Sequence, residues 1–258
     1  MTKKIREENF NSDLRNFRKS EIEILREYTN QIREAAEKPD LLLYNWPRYV
    51  RTQEITRFIS FYEIYKYIQD VQGSIFQCGV LEGNTLFTFA HLVENFEIRN
   101  YTRKIYAFDT FGDDDYKQIT KQDAKYQDPK VKSGWKVSSF ESLKKSVELF
   151  NRSKIFNQFK GIELTKGDAG KTVPNFLKNN KGTIIAALNL QISLYSVEKK
   201  ILQNVWPRIP KGGTVHFASL GYEGSPGVGQ MLDEALGISN IRIKRFSFAT
   251  KPSVIIKE

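Results

Sequence analysis

The sequence predicts an α/β fold, doubly wound around one mostly parallel, seven-stranded sheet with an antiparallel C-terminal strand and N-terminal helices. Three observations predict it. Short apolar runs at 74–80, 104–109, 161–165, 183–190 and 214–218 alternate with amphipathic stretches of helical period, which is the signature of successive strand–helix units. Two further runs, 241–248 and 253–257, are joined by a short connection, as in an antiparallel pair at a sheet edge. The chain has 258 residues, 40% of them hydrophobic with 18 Phe and 12 Tyr, enough to build one large core.

The elements follow in order. Ser20 and Glu23 have capping-box spacing, so a helix is expected to start there; Ile24, Leu25, Tyr28, Ile32, Ala35 and Ala36 give it one apolar stripe. Lys38-Pro39-Asp40 ends it. A second helix fits 52–71, with Ile55, Phe58, Ile59, Tyr62, Tyr65 and Ile68 on one face and Gln72-Gly73 as its stop. Helices at 84–96, 139–150, 171–179, 196–206 and 227–236 separate the strand candidates. The segment 112–134, dense in Asp, Lys and Gln, reads as a loop able to cover a site. The expected organisation is an N-terminal helical extension, residues 1–50, and a domain spanning 51–258. The striped first helix is a candidate element for a homodimer.

Composition excludes several classes. One cysteine, Cys78, permits neither an internal disulfide nor a cysteine zinc cluster, and two histidines, His91 and His216, give no histidine-rich metal site. No apolar run is long enough to cross a bilayer, and the charged N-terminus is not a secretory signal, so a cytoplasmic protein without a membrane partner is expected. The net charge of +10 is concentrated late: residues 151–258 hold 16 Lys and Arg against 7 Asp and Glu. A basic surface favours anionic ligands. No nucleic-acid-binding motif accompanies it, so a nucleic-acid partner is not expected.

Three constellations carry the chemistry. Gln77-Cys78-Gly79-Val80-Leu81-Glu82-Gly83-Asn84-Thr85 ends the first strand. Its glycines permit a sharp turn, and the following helix would aim free amides at a ligand. The Gly-x-x-x-Gly spacing is not that of a dinucleotide site, which suits a cofactor without a pyrophosphate. Asp109-Thr110-Phe111 closes the second strand, where an acid can accept both ribose hydroxyls of a nucleoside. Gly167-Asp168-Ala169 follows the third strand, where Asp168 could accept an adenine amino proton, cap the next helix, or do both.

These pieces, in this order, resemble the macrocin O-methyltransferase (TylF-like) family of S-adenosylmethionine-dependent sugar methyltransferases. The matching stretches are SIFQCGVLEGNTLFTFAHL, YTRKIYAFDTFGD, IELTKGDAGKTVPNFL, ISLYSVEKKILQNVWPRIPKGGTVHF and SPGVGQMLDEALGI, so the resemblance runs from about Arg51 to the C-terminus. It implies a Rossmann-like domain that binds S-adenosylmethionine and transfers a methyl group to a sugar hydroxyl, often on a nucleotide-linked or antibiotic sugar, with Mg²⁺ in many members. Carried onto this chain, it implies cofactor contacts from Gln77, Gly79, Val80, Glu82, Gly83, Asn84, Thr85, Asp109, Thr110, Phe111, Gly167, Asp168 and Ala169. The small-molecule substrate would be an anion such as a nucleotide sugar.

The chain also departs from the family. Gln77 stands where the family has a first-strand acid. The Asp-x-Asp-Leu-Tyr word after the fourth strand reads Gln191-Ile192-Ser193-Leu194-Tyr195, and the acidic pair after the fifth strand reads Ala218-Ser219. Mg²⁺ needs carboxylate oxygen, so a metal site is not expected here. Without it, hydroxyl deprotonation needs another base, for which His216 is the candidate. The competing expectation is a non-catalytic relative that serves as a binding or structural subunit.

Overall fold

The computed structural model of the protein describes residues 19–112, 121–125, 140–222, 225–249 and 251–258, with the side chains of residues 19–21, 122 and 124 outside that description. The Ser20 side chain of the expected capping box and most of the 112–134 segment therefore lie outside it. The chain divides into two compact units, Met1–Phe58 and Ile59–Glu258. The first contains α1 (Lys19–Ala35), α2 (Pro39–Tyr44) and a 3₁₀ turn at Trp46–Arg48. The sequence places a stop at Lys38-Pro39-Asp40. Pro39 indeed cannot continue α1, but its fixed φ suits the first position of a new helix, and α2 starts on it.

α3 (Thr52–Ile68) carries the unit boundary and leads into the sheet. There follow β1 (Ser74–Cys78), α4 (Asn84–Phe96), β2 (Ile105–Asp109), α5 (Lys121–Lys125), α6 (Phe140–Ser153), β3 (Ile162–Lys166), α7 (Ala169–Asn179), β4 (Ile185–Leu190), α8 (Tyr195–Val205), β5 (Thr214–Phe217), α9 (Gly227–Leu236), β6 (Ile243–Arg245) and β7 (Ser253–Ile256). The seven strands lie in the order β3-β2-β1-β4-β5-β7-β6. β1 to β5 pair in parallel, and β7 runs antiparallel to both β5 and β6. The expected mixed sheet is thus the one observed, a Rossmann-like arrangement.

Central parallel strands are covered on both faces, so they read as unbroken apolar runs rather than alternating ones. All six residues of β4 and all five of β1 are buried. On one face Phe61, Ile64, Tyr65 and Ile68 of α3 pack with Leu86, Phe89 and Val93 of α4 and Leu143 and Val147 of α6. On the other, Val173 and Leu177 of α7 pack with Ile201, Leu202 and Val205 of α8 and Met231 and Leu232 of α9. The chain adds β2 and β3 on one side of β1, then returns to add β4 on the other. Strand order therefore reverses between β1 and β4, and a crevice forms beyond their C-terminal ends.

A buried arginine closes the opposite end of the sheet. Arg103, next to β2, pairs with Glu97 at 2.7 Å and donates to the carbonyls of Ile68, Val71 and Gly73 at 2.9–3.0 Å. It thereby satisfies the last carbonyl of α3 and two carbonyls of the connection from α3 to β1. The second oxygen of Glu97 accepts from Tyr65 Oη at 2.7 Å. Removing the guanidinium strands a buried carboxylate, the costly way to break an ion pair. Arg103→Met is expected to lower the unfolding free energy in urea by ~3–5 kcal/mol. A loss under about 1 kcal/mol would show that water replaces the arginine there.

Candidate functional site

The loops after β3, β2, β1, β4 and β5 are laced together by backbone hydrogen bonds that prolong the sheet. Gly167 N donates to Asp109 O at 2.8 Å, Gly79 N to Phe108 O at 3.0 Å, Gln191 N to Cys78 O at 2.9 Å, and Ala218 N to Leu190 O at 3.1 Å. The segments singled out in the sequence are brought to one edge by this lacing.

Gly79 is the tightest of the glycines at this edge. Its φ is +86°, and a Cβ there would stand 2.7 Å from the backbone carbonyl of Gln191. Only glycine allows β1 to turn this close to the end of β4. Gly83, at φ +87°, sits at the N-cap of α4 and offers no side chain to the first-turn amides of that helix. Those amides stay available to a ligand at the crevice.

Asp109 is half-buried at the end of β2. One carboxylate oxygen accepts from the amides of Val80 and Leu81, the latter at 3.1 Å, and the other accepts from Phe111 N at 2.9 Å. The acid therefore fastens the glycine loop to β2. This role was not visible in the sequence. A carboxylate offers about four lone-pair directions, so three amides leave it limited capacity for further donors. Leu81 and Phe111, on either side of this carboxylate, hold positive φ values of 52° and 53°. Non-glycine residues hold that conformation only where their surroundings compel it.

Asp168 takes the capping role: Oδ1 accepts from Gly170 N at 2.8 Å at the start of α7, and Lys171 Nζ stands 3.7 Å from Oδ2. Gly167 has φ +133° beside it, and Ala169 is the buried first residue of α7. Val80 and Phe111 are buried, and Thr110 Oγ1 lies 3.5 Å from Asp109. Glu82 is exposed on the loop, with Asn84 beginning α4. Thr85 Oγ1 meets the side-chain amide of Gln191 at 2.9–3.0 Å, which links α4 to the β4–α8 loop.

Two expected site residues are drawn into the core instead. Gln77 is fully buried: its Nε2 donates to Gly79 O at 2.6 Å, and its Oε1 accepts from Asn189 Nδ2 at 2.9 Å. It is a strut between β1 and β4 under the glycine turn, not a group facing the crevice. His216 is its counterpart on β5, in register with Asn189. Its ring is fully buried, lies 5.7 Å from Phe89 in stacked geometry and 5.6 Å from Phe61, and neither ring nitrogen has a partner among the described residues. Burial alone pulls its pKa down to about 3. A base must reach the proton it abstracts, and a histidine sealed between two phenyl rings does not reach an acceptor hydroxyl. The sequence shows β5 ending near His216 but not that α3 and α4 close over it.

At the loop positions where the resemblance implies acids, the side chains are neutral, and the polar ones are hydrogen-bonded. Ser193 Oγ and Ser219 Oγ lie 2.7 Å apart, bridging the β4 and β5 loops, while Gln191 is held by Thr85. Ser193 has φ +64°.

Sequence reasoning missed two carboxylates under these loops. Asp123, on α5, accepts from Ser196 N at 2.8 Å and Ser196 Oγ at 2.6 Å, and so caps α8 from the segment expected to be a loop. Glu198 is 1% exposed on α8. Its Oε1 accepts from Ile192 N at 3.0 Å and Ser193 N at 2.8 Å, and burial pushes its carboxyl up to about 7. Its spacing from Ile201, Leu202 and Val205 puts it on the buried stripe of α8, a signal the sequence does contain. A third cluster, Tyr195, Lys199 and Glu234, ties α8 to α9 through Tyr195 Oη and Lys199 Nζ, both of which donate to Glu234 Oε2.

This fold and this crevice define a chain of the Rossmann-like methyltransferase fold. Among solved structures it is similar to the calicheamicin methyltransferase CalS11, at 27% identity over 93% of both chains with a TM-score of 0.85. An apo structure of CalS11, described as a TDP-rhamnose 3′-O-methyltransferase of calicheamicin biosynthesis, matches at 25% identity over 93% of this chain and 95% of that one, with a TM-score of 0.79. The O-methyltransferase NovP, at 17% identity over 79% of this chain and 80% of its own, with a TM-score of 0.60, shares the fold. No family model and no curated protein matches the chain. No helix among the described residues is long and apolar enough to cross a membrane.

The two buried groups titrate with opposite sign. The folded pKa of His216 lies below its ordinary 6.5, so its contribution is intact above pH 6.5 and is lost as pH falls towards 3. The folded pKa of Glu198 lies above its ordinary 4.5, so its contribution is present below 4.5 and is lost as pH rises through 7. Between 4.5 and 6.5 the two slopes oppose each other. His216→Phe removes one of them together with two unpaired nitrogens. It is expected to raise the urea midpoint at pH 5 and to leave stability falling as pH goes from 5 to 7. An unchanged or lower midpoint at pH 5 would mean that the ring is hydrogen-bonded in the core.

Proposed function

We propose that the protein binds S-adenosylmethionine at the crevice beyond β1, β2 and β3 and methylates a hydroxyl of a small, sugar-like acceptor without a divalent cation. The observation that carries this reading is the likeness over 93% of the chain to the TDP-rhamnose 3′-O-methyltransferase CalS11, with an acid, Asp109, at the end of β2. The working part is the segment from about residue 51 onward. Asp109 would take the ribose and Asp168 the adenine amino group. Gly79, Gly83 and the uncapped start of α4 would let the cofactor approach the backbone. When bound, S-adenosylmethionine supplies an electrophilic methyl group, and the chain's own task is to hold a hydroxyl in line with it and keep water away.

The donor set does not suit Mg²⁺. Ser193 and Ser219 are bonded to each other, Gln191 to Thr85, and Ala218 offers no side-chain oxygen, so these four positions carry no carboxylate to balance a dication. The excess of lysine and arginine in residues 151–258 supports an anionic acceptor such as a nucleotide sugar. The burial of His216 supports a second reading, a relative that binds the cofactor without transferring the methyl group.

Calorimetry with S-adenosylmethionine and S-adenosylhomocysteine tests the first step. Both are expected to bind, with Asp109→Ala weakening binding by ~1–3 kcal/mol through loss of the ribose acceptor and the loop fastening. No heat at millimolar cofactor would sink both readings. Methyl transfer to nucleotide sugars is expected to persist in EDTA; activity abolished by EDTA and restored by Mg²⁺ would overturn the metal-free account.

A further inference from the structure

Glu198 is a buried acid that neither the cofactor reading nor the fold requires. It lies in the first turns of α8, yet its carboxylate turns back past the helix start. There Oε1 accepts the two amides that precede the helix, Ile192 N and Ser193 N. Oε2 has no partner among the described residues. The N-cap residue, Leu194, has no side chain able to do this work. The loop so held is the one that presents Gln191 to Thr85 and Ser193 to Ser219. Its Ser193 carries a left-handed backbone, φ +64°, which a residue with a Cβ holds only where its neighbours determine it. Two hydrogen bonds from one fixed carboxyl provide that determination. Leu190, which leads into the loop, is tied to the loop after β5 through Ala218 N, so a shift at Ser193 is transmitted to both loops that wall the crevice.

We propose that Glu198 is the positioning residue of the crevice: from beneath, its carboxyl sets the β4–α8 loop in the conformation that places Gln191 against α4 and Ser193 against Ser219. This rests on the cofactor reading only for its consequence, not for the contact itself. An apolar residue of the same length and flexibility fills the cavity without accepting an amide, so Glu198→Met removes the hydrogen bonds and keeps the packing. Glu198→Gln retains an acceptor oxygen and acts as the conservative rescue.

The measurement is residue-resolved amide hydrogen exchange at Ile192 and Ser193, with calorimetric titration of S-adenosylhomocysteine on the same samples. Glu198→Met is expected to speed exchange at both amides at least ~10-fold and to weaken S-adenosylhomocysteine ~10-fold, with exchange in β1 and β4 unchanged. Glu198→Gln is expected to stay within about 3-fold of the unaltered chain on both counts. Unchanged exchange in Glu198→Met, or faster exchange with unchanged affinity, overturns the proposal, as does a Gln variant that behaves like the Met variant. If S-adenosylhomocysteine fails to bind the unaltered chain, the cofactor reading falls, and the exchange data alone decide whether Glu198 holds the loop.

Discussion

The closeness of β1 and β4 where the two strands end is the constraint on which the rest of the site depends. Gln191 N reaches back to Cys78 O, and the backbone of Gln191 leaves no space for a Cβ at Gly79. Once the strands converge there, β1 must turn away sharply, which requires the left-handed Gly79 and hands the chain to α4 through Gly83. The turn leaves the amides of Val80 and Leu81 facing β2, and Asp109 accepts them. On the other side, the β4 loop must leave at the same level, and it does so through a strained Ser193 held by Glu198. A sheet built this way holds its crevice edge on backbone contacts, and side chains serve mainly to fasten it.

A polar row lies beneath that edge. Gln77, Asn189 and His216 occupy matched positions on β1, β4 and β5, inside an otherwise apolar face. Gln77 and Asn189 bond to each other, while Asn189 Oδ1 and both nitrogens of His216 have no partner among the described residues. Unpaired buried groups of this kind weaken a core, and cores built for stability alone avoid them. Where the resembling family implies acidity at the first strand, this chain has an amide. The row is neutral, as is the Ser193–Ser219 bridge nearby.

Periodicity made the architecture legible. Apolar runs bounded by turn residues located all seven strands, and the C-terminal pair proved antiparallel because its connection was too short for a crossover. The glycine turn and Asp109 were legible as well, since backbone geometry and strand-end position follow from local sequence. The destinations of Gln77 and His216 were not. Which side chains face the crevice and which face α3 and α4 depends on strand register and helix docking, and neither is a local property. Asp123 escaped notice because its partner, Ser196, is distant in the chain. Glu198 escaped because an acid within an amphipathic helix looks solvent-facing until its place on the apolar stripe is counted.

The central claim, a nucleoside cofactor seated at the β1–β2–β3 edge, is tested most directly by amide NMR shifts on titration with S-adenosylhomocysteine. The account predicts that the largest changes fall on Val80, Leu81, Asp109, Gly167 and Asp168, with the Leu81 amide moving most as Asp109 turns from the loop to the ribose, and little change on β6. Shifts confined to other surfaces, or none at saturating ligand, would contradict it.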